Sequence, residues 1–122
     1  MKKIDIKYLG IPNICFSLTD KEDKREKIFK KQRIERGFDE SETWCLTTTI
    51  ANFIIPRLKL FREINNKKTI RDKKFYREID DIIIAMELIV RNNGARIFTE
   101  KEEKQVDKGL KILPKIFLLL WW

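Results

Sequence analysis

The side chains with the most binding chemistry lie between Gly37 and Glu63, in the segment GFDESETWCLTTTIANFIIPRLKLFRE. This segment combines a tryptophan, a threonine cluster, an asparagine and a proline with three basic residues in an otherwise apolar stretch. Arginine offers a planar fork suited to phosphate or carboxylate, and lysine offers a mobile point charge. The pattern predicts a buried central helix that also presents a ligand-binding site.

The predicted site surrounds Pro56, which removes one helical hydrogen bond and should kink the helix. The carbonyl freed at Asn52, with threonines one turn earlier, would make a local polar pocket. The candidate ligand-binding residues, including aromatic rings that could stack on a base, are Trp44, Thr48, Asn52, Arg57, Lys59, Arg62 and Tyr76. Because consecutive helical residues are rotated by about 100°, at most two of the three basic residues can act together.

Two structural interpretations stay open for this segment. Arg57 could pair with a carboxylate of the next helix, Asp80 or Asp81, and order the fold instead of binding a ligand. Trp44, near the helix start, could anchor the core instead of stacking on a base.

Catalytic residue combinations are missing from the chain. It contains no histidine, which removes the commonest general base and the commonest transition-metal ligand. Cys15 and Cys45 have no CxxC spacing, so we expect two reduced thiols and no zinc site. Glu78 and Asp81 could converge on a helix face, but they lack the second carboxylate pair of a di-metal bundle site. We expect a protein without enzymatic activity, metal or cofactor.

The charge balance indicates a partner class. Among 122 residues, 27 are Lys or Arg and 19 are Asp or Glu, which gives a formal net charge of +8. Such an excess favours polyanions: nucleic acid, nucleotides, phosphates or an acidic protein surface. The alternative is a lysine-rich composition that serves only solubility.

The elements that must position these residues are predicted to be helical. With Gly 4 and Pro 3, the chain has little turn chemistry for an all-β fold. Alternating Ile4, Ile6 and Tyr8 predict a short extended segment within residues 1–19. Helices are predicted over 20–36, 40–64, 70–91 and 99–121, with a loop at 65–68. We expect one all-α domain over 1–122: a compact antiparallel bundle of three long helices plus a short outer N-terminal helix.

Capping residues and apolar stripes support these helices. Gly37 is expected to end the first helix, and Asp39 with Glu42, or Ser41 alone, to begin the second. Thr99 and Glu102 form a capping box for the fourth. The third and fourth helices carry apolar residues at alternating spacings of four and three. The stripes are Phe75, Ile79, Ile82, Met86 and Ile89, then Val106, Leu110, Leu113, Phe117 and Leu120.

The apolar tail from Ile112 to Trp122 is expected to be an interface. So many adjacent apolar residues cannot all face one core, and aromatic residues are enriched at interfaces. The predicted interface residues of a homo-oligomer are Phe117, Leu120, Trp121 and Trp122. The tail is shorter than the roughly 20 residues that span a bilayer, and MKKIDIKYLG has no signal-peptide core. We therefore expect a cytoplasmic protein that does not engage a membrane.

The segment around Pro56 resembles a group of small, mostly uncharacterised helical proteins of bacteriophages and prophages. The shared positions are Gly37, Phe38, Asp39, Trp44, Leu46, Ala51, Pro56, Arg57, Leu58, Lys59 and Phe61. The similarity continues through residues 85–89 and 109–121, and covers roughly residues 33–122. The chain differs in a shorter linker without an aromatic–Pro pair, and its N-terminal extension has no counterpart.

The resemblance implies a phage origin and the host bacterial cytoplasm as the place of action. Small phage proteins of this kind often serve counter-defence by binding. The preferred hypothesis is an oligomeric sponge that sequesters a phosphate-bearing nucleotide immune signal. One alternative is an anti-CRISPR-type inhibitor that docks on a host nuclease or its guide RNA through the basic first helix or the apolar tail. Another is a virion or replication accessory protein.

Overall fold

Helices dominate the part of the chain that the computed structural model describes, residues 3–9, 15–68, 71–93, 95 and 97–121. The four α-helices are α1 Glu26–Arg36, α2 Leu46–Lys68, α3 Lys73–Arg91 and α4 Glu100–Ile116. Short 3₁₀ turns occupy Ile6–Tyr8, Glu40–Thr43 and Phe117–Leu119. No strand occurs among the described residues, so the predicted all-α class is confirmed. Trp122, which was predicted at an interface, lies outside the described residues.

The chain divides into two compact units, Met1–Thr49 (unit 1) and Ile50–Trp122 (unit 2). The division falls in the first turn of α2. None of the four helices combines the length and the apolar character that crossing a bilayer requires, as far as the described residues extend.

Unit 1 is built around α1 and the two 3₁₀ turns that contact it. α1 ends as predicted at Gly37, whose φ of 86° lies in the left-handed region and whose N–H donates to the Arg33 carbonyl. Its start was predicted too early, at residue 20 and not at Glu26. Asp20 and Asp23 each accept a hydrogen bond from the backbone N–H two residues on, and such turns compete with a helix.

Two further predictions for unit 1 need correction. The extended segment contains the 3₁₀ turn Ile6–Tyr8, because the Asp5 carboxylate accepts the Lys7 N–H and closes a turn. The capping box of Asp39 and Glu42 is present, but it begins the 3₁₀ turn Glu40–Thr43, and α2 starts only at Leu46.

In unit 2, ion pairs show the direction in which neighbouring helices run. Ion pairs join Lys59 to Glu87 and Arg62 to Asp80, so the order of residues along α3 runs opposite to that along α2. In the same way Arg91 pairs with Glu102 and Lys108 with Asp81 between α3 and α4. The side chains of the third-helix stripe are all buried, as predicted.

The predicted loop at 65–68 is helical, because α2 continues to Lys68. The Asn65 side chain is fully buried, accepts from the Tyr76 hydroxyl and donates to the Trp121 carbonyl. With its amide engaged there, Asn65 does not compete for local backbone groups and the helix continues. α3 starts at Lys73, where Asp72 caps it, later than the predicted residue 70.

Helix α2 is less buried than a central helix should be. Ala51 and Leu58 are in the core, but Ile50, Phe53 and Leu60 are each about half exposed. Among the described residues of unit 2, α3 and α4 are the helices that can cover α2, so the side of α2 that faces away from them stays exposed.

The α4 stripe was also predicted on the wrong face in part. Thr99 and Glu102 form the predicted capping box, and Val106 is buried. Leu110 and Phe117, however, are 45% and 59% exposed, while Gly109 and Ile116 are buried. The helix ends at Ile116, short of residue 121, and continues only as a 3₁₀ turn.

Candidate ligand-binding site

The predicted site on α2 does not assemble around Arg57. The Arg57 guanidinium lies 3.9 Å from the centre of the Phe53 ring and donates to the Phe53 carbonyl at 2.8 Å. It pairs with neither Asp80 nor Asp81, which was the structural alternative. Arg57 is exposed and flat against its own helix.

The other two basic residues of α2 form ion pairs with α3. Lys59 pairs with Glu87 at 2.7 Å, and Arg62 pairs with Asp80 at 2.7 Å. These pairs are partly exposed, so each contributes on the order of 1 kcal/mol or less to stability. The pair with an α3 carboxylate that we considered for Arg57 is formed by Arg62 instead.

The remaining predicted site residues are distributed over both units. In unit 2, Asn52 is half-buried and Tyr76 is buried, with its hydroxyl on Asn65. In unit 1, Thr48 is buried with its hydroxyl 3.1 Å from the Cys45 sulfur. A buried Tyr76 is not a free platform for a base.

Trp44 is half exposed, so it is not the core anchor considered as the alternative. The Arg25 guanidinium lies 4.6 Å from the centre of its ring system, and Phe29 contacts it edge-on at 6.0 Å. Asp23 in turn holds Arg25 through two hydrogen bonds. Trp44 is thus already covered on one side by a paired guanidinium.

A different part of unit 2 concentrates positive charge. Because the helices are antiparallel, the end of α2, the start of α3 and the end of α4 lie at the same end of the unit. We call this the basic end; its described cations are Lys67, Arg71, Lys73, Lys74, Arg77, Lys111 and Lys115. The acidic residues there are Glu63, Asp72 and Glu78, so cations prevail.

Two aromatic rings and a backbone carbonyl contact the guanidinium of Arg71 at the basic end. Its guanidinium lies between two rings, 4.7 Å from the centre of Phe75 and 4.9 Å from that of Trp121. It also donates to the Trp121 carbonyl at 3.1 Å. Stacking between aromatic rings fixes the plane of the guanidinium, which a flexible lysine could not achieve.

A cleft of about 250 Å³ opens beside Arg71. Its lining residues are Arg71, Asp72, Lys74, Phe75, Glu78, Ile116 and Leu119. The carboxylate of Asp72 caps α3 by accepting the Phe75 N–H at 2.9 Å. The ammonium of Lys74 has no hydrogen bond or ion pair with any residue in the described ranges. The cleft therefore joins two cations and two carboxylates to an apolar wall. The cations together with the wall are the combination that binds a phosphate attached to a ring.

This cleft was not predicted from the sequence, although the sequence contains a pattern that indicates it. Four basic residues occur between Arg71 and Arg77, at the start of a helix with an apolar stripe. The site was predicted at the basic residues near Pro56 instead, because a proline inside a helix removes a hydrogen bond and frees a carbonyl there. The contribution of Leu119 and Trp121 could not be read from spacing, because it depends on the 3₁₀ turn after α4.

Unit 1 contains a second polar cluster, around the fully buried Arg33. The guanidinium donates to both oxygens of Asp5 at 2.8 Å, to Asp39 at 2.5 Å and to Glu26. Since its donors are occupied by carboxylates of this chain, Arg33 cannot bind an external anion. The cluster therefore serves the fold of unit 1 and not the binding of a ligand.

The pKa values of these three carboxyl groups are all lowered. Burial alone would raise each pKa, but hydrogen bonds to the charged form outweigh it. Arg33 and the Lys7 N–H supply those bonds to Asp5, and Tyr8, Arg33 and Thr19 supply them to Glu26. Hydroxyl groups and Arg33 do the same for Asp39.

No disulfide joins Cys15 and Cys45. Burial raises the pKa of the Cys15 thiol to about 11, with a smaller contribution from the negative charge of Glu42. Cys15 is therefore a neutral thiol at physiological pH and a poor nucleophile. Within the described residues, no group of three or more Cys, Asp or Glu side chains is arranged to hold a metal ion.

Comparison of the chain with family models, with curated proteins and with solved structures gives no match.

Proposed function

We propose that this chain is a non-enzymatic phage counter-defence protein that sequesters a phosphate-bearing nucleotide at the basic end of unit 2. The observation that carries the proposal is the cleft in which Arg71 and Lys74 stand beside an apolar wall. The excess of cations around it would attract the ligand, and the stacked Arg71 would orient its phosphate.

The proposal keeps the predicted ligand class and relocates the site. The residues near Pro56 are left out because two of their three cations already pair with α3. It includes the predicted homo-oligomer and the predicted arrangement of three long helices with a short outer helix. A sponge needs no catalysis, because it acts by lowering the free concentration of a signal.

The first experiment is native mass spectrometry of the protein purified from bacterial lysate. It reports the assembly state and a retained ligand in one measurement. The expected result is an oligomer that carries additional mass of nucleotide size. A bare species that also binds no nucleotide by calorimetry would overturn the proposal.

The residue test is Lys74→Gln, which removes a charge from the cleft. A charge-assisted hydrogen bond contributes about 1.5–3 kcal/mol, so nucleotide affinity should fall roughly tenfold or more. The matched control is Lys101→Gln: Lys101 is exposed in the first turn of α4, at the opposite end of unit 2. Arg57→Ala should also leave affinity unchanged. Equal losses in all three variants would contradict a site at the basic end.

One observation favours the anti-CRISPR-type alternative. Lys24, Lys27 and Lys30 are exposed on or beside α1 and form no ion pair with the described residues. If an effector or its guide RNA binds there, Lys27→Glu with Lys30→Glu should abolish inhibition of the nuclease. In that case Lys74→Gln should have no effect.

A further inference from the structure

The cleft at the basic end contains a group that phosphate binding does not use, the carboxylate of Glu78. Glu78 is half-buried and lines the same cleft as Arg71 and Lys74. It makes no hydrogen bond or ion pair within the described ranges. Lys74, four residues earlier on α3, is the partner that helical spacing would favour, yet no ion pair joins them. The cleft thus contains a cation, Lys74, and an anion, Glu78, that do not pair with each other and can each contact a ligand.

Such a cleft suits a ligand with an anionic group at one end and N–H donors at the other. A charged carboxylate only accepts hydrogen bonds, so Glu78 requires a donor. Lys74 and Glu78 are about 6 Å apart along the helix axis, and Phe75, Ile116 and Leu119 provide apolar surface in the same cleft. A nucleotide has this layout, because its phosphate lies at the ribose end of the molecule and the hydrogen-bonding edge of its base lies at the other end.

The donor pattern of the base then decides which nucleotide fits. Guanine carries an N1–H and an amino group side by side, and these match the two oxygens of one carboxylate. Uracil offers a single N–H between two carbonyl oxygens, which a carboxylate repels. On the basis of the proposed function, we infer that Glu78 reads the base of the captured nucleotide and selects guanine over uracil.

The test compares binding of guanosine monophosphate and uridine monophosphate by calorimetry with the full chain. A bidentate contact to a base discriminates by roughly tenfold or more, and this is the ratio expected for the unsubstituted protein. Glu78→Gln places a mixed donor and acceptor at the same position. It should bring the ratio close to one by weakening guanosine monophosphate, with little loss for uridine monophosphate.

The matched control is Glu63→Gln, which removes a carboxylate from the same end of unit 2 but outside the cleft. It should preserve the preference for guanine. Equal affinity of both nucleotides for the unsubstituted protein, or a preference that Glu78→Gln does not change, overturns the inference and leaves the proposed function standing. If neither nucleotide nor inorganic phosphate binds, the proposed function fails as well.

Discussion

The guanidinium of Arg33 is a charged group in the centre of unit 1, and its surroundings explain why it can be buried. Removing an ion from water costs several kcal/mol unless partners satisfy its hydrogen bonds. Asp5, Glu26 and Asp39 do so from three directions, and arginine is the side chain whose fork permits this. Three carboxylates carry more negative charge than one guanidinium can neutralise. Hydroxyl and backbone donors stabilise the remaining negative charge.

Acid should therefore loosen unit 1. The folded-state pKa values of Asp5, Glu26 and Asp39 lie below their ordinary values of 3.8, 4.5 and 3.8. A lowered pKa contributes stability that is complete above the unfolded value and is lost as pH falls towards the folded value. Hydrogen exchange, corrected for intrinsic rates, should show protection of α1 decreasing as pH falls below about 4.5.

The control for this prediction is Arg33→Met. It leaves buried carboxylates without their partner and should destabilise unit 1 by about 3–5 kcal/mol at neutral pH. The acid dependence should shrink in this variant, because Arg33 no longer lowers the three pKa values. An unchanged acid dependence would show that Arg33 does not stabilise the charged carboxylates.

The role of Arg33 could not be predicted from the sequence. In the run from Asp20 to Arg36 it is one basic residue among many, in a helix predicted to lie on the outside of the bundle. Its partner Asp5 lies 28 residues away in the chain. Local spacing contains no information about such a contact, whereas the cap at Thr99 depends on neighbours only and was predicted correctly.

At the scale of elements, the packing of α3 on α4 depends on a glycine. A Cβ built at Gly109 would lie 2.4 Å from the Cβ of Ala85 and 2.7 Å from the Asp81 carbonyl oxygen. Both distances are shorter than real contacts, and the carbonyl belongs to the backbone and cannot rotate away. Small residues on both helices therefore permit this close approach.

Gly109→Ala should destabilise unit 2 although alanine favours helices. The helix propensity gain is about 1 kcal/mol, whereas overpacking costs typically about 1–3 kcal/mol. Because the clash involves the backbone, we expect a net loss of about 1 kcal/mol or more in urea denaturation. Lys111→Ala, an exposed position on the same helix, should change stability by less than about 0.5 kcal/mol. A more stable Gly109→Ala protein would contradict the close approach.

The same close approach explains the part of α4 that was predicted wrongly. An apolar stripe at spacings of four and three is satisfied by Leu110 and Phe117, and glycine adds no apolar surface to a pattern. The helix turns Gly109 and Ile116 inward instead, because only glycine permits the contact with α3. The third-helix stripe has no such competitor, and its prediction was confirmed.

At the scale of the whole chain, each of the two units is stabilised internally by a different kind of interaction. In the described part of unit 1, Phe29 is the single buried apolar side chain, and the other buried side chains are polar or charged. Unit 2 buries a continuous apolar cluster that includes Ile79, Ile82 and Met86. Unit 1 should therefore respond to pH, and unit 2 to the loss of apolar volume.

The exposed apolar residues of unit 2 after α4 are the place where the predicted homo-oligomer can be tested. Leu118 is 84% exposed, and Phe117 and Trp121 are about 60% exposed. Leu120, which we also predicted at an interface, is half-buried against the core. Apolar groups of this size are removed from water when copies associate, which gains about 25 cal/mol per Å² of buried apolar surface.

Leu118→Asp should therefore dissociate the predicted homo-oligomer, because a carboxylate at a closed apolar contact cannot keep its hydration. Leu118 lies at the basic end, so a purely electrostatic effect must be separated from the loss of contact. Leu118→Ser, which adds no charge, should also weaken assembly. Ile97→Asp serves as the control, since Ile97 is 77% exposed at the opposite end of unit 2. Light scattering coupled to size exclusion should report smaller particles for the two Leu118 variants but not for Ile97→Asp. If the unsubstituted protein is a monomer, the predicted assembly is ruled out.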